Sequence, residues 1–292
     1  MRKAFVYVVL AGIIFGTMEV ALKIGGTAMD PFQLTFLRFA IGGLALLPLG
    51  IKELKRRKLS LTAGDFLALA VVGTIGVAIS MVMFQLGVLH SNAATAAVLF
   101  CINPFFTMVF AHFFSNEKLD RQKILVLAVA LIGIMLIMRP WEVQEGNTVY
   151  GMTLTLMAAF FFGVYTVASK KSVQKMGTIA QTSISFIIGS AVLMIVTAAM
   201  GRPLISGITD NIPILLYTGL VVTGAGYYCF FKAIELSDAT TGSFTFFVKP
   251  AVAPVIAVMI LGEQILWNTV AGIVMVLAAS IMKTRGKKQP LQ

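Results

Sequence analysis

The amino-acid sequence predicts an all-α integral membrane protein, with ten transmembrane helices arranged as two inverted five-helix repeats. Three observations carry that prediction. The apolar residues come in blocks of about 20, the length of helix that crosses roughly 30 Å of hydrocarbon at about 1.5 Å per residue. The lysines and arginines gather in alternate connectors. Two stretches half a chain apart match in register.

Composition sets the class. Of 292 residues, 58% are hydrophobic and 12% charged, whereas a soluble domain averages about 25% charged residues. Spans are expected near residues 4–25, 31–50, 66–88, 91–115, 122–139, 150–169, 178–200, 211–231, 239–262 and 266–283. Their short connectors make sequence neighbours antiparallel. The first apolar run leads straight into the next without a small-residue cleavage site, so no cleavable signal peptide is expected. Cys101 and Cys229 fall inside spans and read as packing residues. His90 and His112 fall near span ends and read as interfacial. No His, Cys and carboxylate cluster has metal-ligand spacing, and no Walker or Rossmann glycine pattern has a strand–helix context, so no cofactor is expected. No connector is long enough for a nucleotide-binding domain, which sets aside an ATP-driven pump.

Charge sets the orientation. With the N-terminus in the cytoplasm, eighteen of the 23 basic residues fall on that side, including Arg2 and Lys3, the 52–58 cluster, Lys170, Lys171 and Lys175, and the C-terminal group from Lys283 to Lys288. Only Arg139 and Arg202 fall outside, while Lys23, Arg38 and Lys249 lie within spans. Both termini are therefore expected in the cytoplasm, with the chain in the plasma membrane. The net charge of +11 follows from topology and calls for no nucleic-acid partner.

The repeat is read from register. "SNAATAAVLFCINP" (91–104) aligns with "SDATTGSFTFFVKP" (237–250) at an offset of 146, matching Phe84 with Phe230, Phe100 with Phe246, Pro104 with Pro250 and Glu117 with Glu263. Gly16 and Gly163, and Lys23 and Lys170, match at 147. Residues 1–147 and 148–292 thus read as two units of five spans, and an odd number of spans makes the second enter from the opposite side. Inverted repeats mark secondary transporters, whose sites lie near the midplane beside broken helices. Pro104, Pro250 and Pro254 are expected to kink their spans.

"GTMEVALK…DPFQLTFLRFAIGGLALL" and the paired segments "SNAATAAVLFCINPFFTMVFAHFFSNEKL" and "SDATTGSFTFFVKPAVAPVIAVMILGEQI" resemble EamA-type members of the drug/metabolite transporter superfamily, along essentially the whole chain. The resemblance implies ten helices, cytoplasmic termini, a central cavity, alternating access and export of amino acids or other metabolites. It also implies an acidic or uncharged polar residue before the mid-span proline of the ninth helix. Lys249 stands there instead, and hints at an anionic group on the substrate. "MEVALK" also resembles the first helix of small multidrug resistance transporters, where a membrane glutamate binds protons and cations in turn.

The candidate site follows from polar groups inside spans. Asp238, Thr241, Gly242, Thr245 and Lys249 form one helical stripe, mirrored by a stripe that ends at Asn103, the repeat mate of Lys249. Lys249 lies about ten residues from the inner end, roughly 14 Å deep. It reads either as a substrate group or as a structural cap for carbonyls freed by Pro250 and Pro254. Glu19 and Arg38 fall at matching depth on adjacent antiparallel spans, which offers an ion pair, and Lys23 offers Glu19 another at i, i+4. Such a pair reads as structural or as part of the transport site. Gln85, Tyr165, Thr223, Tyr227 and Tyr228 are further candidates for a cavity wall, although most membrane tyrosines are packing or interface residues. Gly12 and Gly16 form a helix-contact motif.

These residues support a secondary transporter that exports small polar metabolites such as amino acids, with Lys249, Asn103, Glu19, Thr245, Tyr227 and Tyr165 binding substrate. One alternative is a proton-coupled exporter of organic cations or drugs, working through Glu19. Another is a non-transporting membrane receptor or scaffold, which midplane charge fits poorly. No His/Asp or Ser/His pair falls at matching depth, so an enzyme is not expected. The expected partners are a small-molecule substrate, the lipid bilayer and a proton as coupling ion, with the chain a monomer or homodimer.

Overall fold

The computed structural model describes residues 2–115, 117, 121–138, 146–262, 267, 268, 270–272, 274, 275 and 278. Among them the chain is helical, with no strand. Among the described residues seven helices are long and apolar enough to cross a membrane, and one bent helix pair makes an eighth if taken as a single span. The first crossing joins α1 (Arg2–Gly16) to α2 (Met18–Ala28). The second is α3 (Pro31–Arg56). The third runs from α4 (Ala63–Gly73) through a π-helical stretch (Thr74–Met81) into α5 (Val82–Leu89). The fourth is α6 (Ala93–Phe100) and α7 (Asn103–Ser115), followed by α8 (Arg121–Met138), where a fifth span was expected.

After α8 come α9 (Val149–Met176) and α10 (Thr178–Ala199). The next crossing contains α11 (Ile212–Leu216), a second π-helical stretch (Tyr217–Gly226) and α12 (Tyr227–Glu235). The bent crossing is α13 (Ala239–Ser243) and α14 (Thr245–Leu261). The tenth expected span, at 266–283, lies largely outside the described residues, as do Arg139, Glu263 and the C-terminal basic group.

Local chemistry explains the helix boundaries. In "DPFQ", Pro31 opens α3 at a position where a missing N–H costs nothing, and the Asp30 carboxylate accepts from the N–H groups of Phe32 and Gln33. At the ends rich in basic residues, carboxylates cap helices of other spans. Glu53 accepts from the N–H groups of Ile179 and Ala180 at 2.8 and 3.1 Å. Glu117 accepts from Ala239 N and Thr240 Oγ1 at 3.0 and 2.7 Å, and pairs with Lys170 at 2.9 Å. Arg57 and Lys232 both reach Glu235 at 2.7 Å. Elsewhere Arg202 pairs with Asp30 at 2.9 Å and stacks over Phe32.

The broken crossings differ in detail from the expected kinks. Pro104 is the second residue of α7 rather than a kink within a continuous helix, because α6 has already ended at Phe100. Pro250 lies inside α14, and the chain bends by 46° between Ala239–Pro250 and Val255–Leu261. The Pro254 side chain lies outside the described residues.

One close contact positions the interior. The backbones of Gly12 and Gly16 touch α14 at Val248 and Val252, so a Cβ on either glycine would overlap a valine. These valines bracket Lys249. Glu19 is the second residue of α2, directly beyond the contact, and Thr17 Oγ1 donates to the Ile14 carbonyl at 2.7 Å at the break between α1 and α2. Gly16→Ala is therefore expected to cost about 1–3 kcal/mol through overpacking, read as a lower melting temperature of the detergent-purified protein. Unchanged melting would contradict the contact.

Candidate functional site

The packing of α1 on α14 brings a carboxylate and an ammonium together inside the bundle. Lys249 Nζ pairs with Glu19 Oε1, and both side chains are fully buried. The ion pair runs to Lys249, not to Arg38 or Lys23, the two cations that depth and spacing offered. Lys23 instead donates to the Ser91 carbonyl. A lone lysine at the centre of a bilayer costs about 2.5–3.5 kcal/mol on insertion scales, and a partnered one avoids much of that cost.

Three aromatic rings surround the ammonium. Lys249 Nζ lies 5.1 Å from the centre of Phe84, 5.0 Å from Phe100 and 5.8 Å from Phe246. Each is within the roughly 6 Å at which a cation is drawn to a ring face, worth about 2 kcal/mol when desolvated. Sequence reading missed these phenylalanines as site residues. Phe84 and Phe100 were visible as repeat matches, but an apolar span gives no signal of which ring faces inward.

From this cage the aromatic packing continues to Arg38. Phe246 stacks on Phe15 at 5.8 Å, Phe15 meets Tyr227 at 5.1 Å, and Tyr227 meets Phe39 at 5.6 Å. The Arg38 guanidinium lies 4.4 Å from the centre of the Phe39 ring. Arg38 is fully buried and makes one long hydrogen bond, from Nη1 to Thr223 Oγ1 at 3.4 Å. Its Nε and Nη2 have no hydrogen-bond partner. It interacts through space with Glu19 and with the Tyr227 hydroxyl.

The other candidates divide into free and engaged groups. The Thr245 and Tyr165 hydroxyls are buried without hydrogen-bond partners, Thr245 one helical turn before Lys249 and Tyr165 packed against Phe162 at 5.3 Å. Tyr227 donates its hydroxyl to Met81 Sδ at 3.2 Å. Gln85 donates to the Leu22 carbonyl at 3.0 Å, leaving its own oxygen unpartnered. Asn103 is engaged: its amide donates to the Ala159 carbonyl at 2.9 Å and its oxygen accepts from Thr107 at 3.2 Å, tying α7 to α9. Asp238 caps α13, accepting from Thr241 N at 2.7 Å.

Buried polar groups are normally hydrogen-bonded. Arg38, Gln85, Tyr165 and Thr245 depart from this rule, each with a buried atom that has no hydrogen-bond partner, and the Lys249–Glu19 ion pair makes no further hydrogen bonds.

Removing one partner of a buried pair leaves the other uncompensated, at about 3–5 kcal/mol. Glu19→Gln and Lys249→Met are each expected to destabilise the protein, and the double variant to lose less than the sum. A double-mutant cycle on melting temperature measures this, and strictly additive losses would exclude the interaction.

The sequence profile of the EamA-like transporter family matches residues 2–139 and 149–284. The chain is 40% identical over 296 residues to an "uncharacterized transporter" of Clostridium kluyveri, covering 99% of this chain and 95% of that one. It is 24% identical over 269 residues to the probable terminal-alkyne amino-acid exporter of Streptantibioticus cattleyicolor, covering 90% and 87% of the two chains. It is 26% identical over 163 residues to the pseudopaline exporter CntI of Pseudomonas aeruginosa, covering 56% and 55%. A crystal structure at 17% identity superposes with a TM-score of 0.74 over 97% of both chains, a likeness of fold. The chain belongs to the EamA-like transporter family and is a multi-pass membrane transporter.

Proposed function

We propose that the chain is a secondary active transporter that exports small zwitterionic metabolites such as amino acids, binding them at the Lys249–Glu19 pair. The pair is the observation that carries this reading. A zwitterion brings a carboxylate and an ammonium, so it can insert between the two side chains, giving its carboxylate to Lys249 and its ammonium to Glu19. Neither member of the pair is left alone at either stage. The empty carrier keeps its own pair and the loaded carrier has two new ones, so neither Lys249 nor Glu19 is unpaired when the carrier reorients. Thr245 supplies a free hydroxyl one helical turn from Lys249, Tyr165 carries another beyond Phe162, and Phe84, Phe100 and Phe246 hold the ammonium of Lys249 in place.

The same geometry weighs against export of organic cations through Glu19. That carboxylate already has Lys249 as its partner and Arg38 as a second interacting cation, and two fixed positive charges repel an incoming cation. The name of the Streptantibioticus relative, an amino-acid exporter, agrees with the zwitterion reading.

Alternating access is proposed to rest on ten spans in two inverted repeats, residues 1–147 and 148–292. The family profile matches the chain in two successive stretches. The third and eighth expected spans each contain a π-helical stretch, Thr74–Met81 and Tyr217–Gly226. Met81 touches Tyr227, and Phe100 packs on Phe246 at 5.3 Å, each pair separated by the repeat offset of 146. Mates in contact are what a local two-fold axis through the site requires. The basic ends of the spans are proposed to face the cytoplasm of a plasma-membrane protein, with both termini on that side. Glu19 is the group available for proton coupling.

Two measurements test this reading. In proteoliposomes, an amino acid should be transported and should stabilise the purified protein. The matched amine without the carboxylate and the matched acid without the ammonium should each bind at least about tenfold more weakly, since a hydrogen bond to a charged group contributes about 1.5–3 kcal/mol. Binding confined to lipophilic cations would overturn the zwitterion reading. Cysteines placed in the 52–58 connector should resist impermeant labelling from outside intact cells, and full labelling there would reverse the orientation.

A further inference from the structure

We propose that Arg38 is a second anion-recognition point of the same interior, so that the preferred ligand is an amino acid bearing one additional acidic group and a net charge of −1. The inference rests on the Lys249–Glu19 reading and extends it to substrate class.

Charge balance carries the argument. Among the described residues, three charged side chains have no exposed surface: Glu19, Arg38 and Lys249. Glu19 and Lys249 cancel as a pair. Arg38 is left over, and it makes no ion pair with any described carboxylate. Buried charges in membrane spans are paired, or they mark ligand and ion pathways. The five N–H donors of a guanidinium match a carboxylate fork. Here only Nη1 has an acceptor, the Thr223 hydroxyl at 3.4 Å, while Nε and Nη2 have none. These two nitrogens lie on the same edge of the guanidinium and present the bidentate geometry that a carboxylate accepts.

The surroundings favour the same ligand. The Phe39 ring covers one face of the guanidinium at 4.4 Å, fixing its plane. The Tyr227 hydroxyl interacts with Arg38 and is oriented by Met81. Tyr227 and Phe15 also connect this corner to the cage around Lys249. A ligand with two carboxylates and one ammonium would satisfy Lys249, Arg38 and Glu19 together and bring the interior to neutrality. A neutral amino acid would leave Arg38 uncompensated.

The test compares isosteres on the full chain. Dissociation constants are measured for aspartate against asparagine and for glutamate against glutamine, with the protein in detergent and chloride replaced by methanesulfonate. The wild-type protein is expected to bind one acidic member at least tenfold more tightly than its amide. In Arg38→Gln that ratio should fall towards one, and Arg38→Lys, which keeps the charge but loses the fork, should give an intermediate ratio and guards against misfolding of the first variant.

Equal binding of acid and amide by the wild-type protein overturns the proposal. If Lys249 still governs amino-acid binding in that case, the site reading stands and only the role of Arg38 fails. If no amino acid binds, both fail. A tenfold preference that survives in both Arg38 variants also overturns it, by placing the discrimination elsewhere. Stabilisation of the wild-type protein by chloride, lost in Arg38→Gln and without acid–amide discrimination, would assign Arg38 to an inorganic anion and overturn the carboxylate.

Discussion

An ion in hydrocarbon must have a partner, and the interior of this protein is arranged around that constraint. Lys249 and Glu19 meet because Gly12 and Gly16 let α1 lie against α14 on either side of the lysine. A larger residue at either glycine would part the helices and strand both charges. The three phenylalanines then enclose the ammonium and keep it from lipid. Each level depends on the one below: small residues permit the approach, the approach makes the pair, and the pair makes a charged midspan residue tolerable.

In our proposal the same pair serves both as a structural element and as the working site. A buried pair that excluded all competitors would be purely structural. This one makes no further hydrogen bonds, and Thr245, Tyr165, Gln85 and Arg38 carry partnerless atoms in the same interior. At the basic ends the situation is reversed: Glu53, Glu117 and Glu235 are saturated by backbone N–H groups, hydroxyls and cations, most of them from other spans. In our proposal the saturated ends hold the spans in register, while the unsaturated middle receives the ligand.

Much of this was legible in the sequence, and the limits have physical causes. The spans and boundary signals are local properties, so runs of apolar residues and "DPFQ" could be read directly. Lys249 stood out because its desolvation demands an explanation. Its partner did not, because Glu19 lies 230 residues away, and helical spacing and depth on adjacent spans offered Glu19 only Lys23 and Arg38. Asn103 was singled out as the repeat mate of Lys249, yet its amide is engaged with Ala159 and Thr107, since register shows correspondence and not orientation. Pro104 promised a kink but sits in the first turn of a helix, because the break lies at Cys101 and Ile102, two residues whose type gives no warning.

The central claim is that substrate replaces each member of the Lys249–Glu19 pair as partner to the other. A structure determined with a bound amino acid tests it most directly. The account predicts the ligand carboxylate on Lys249 Nζ, the ligand ammonium on Glu19, and the two side chains separated. A ligand bound elsewhere, with Lys249 and Glu19 still in contact, would contradict it.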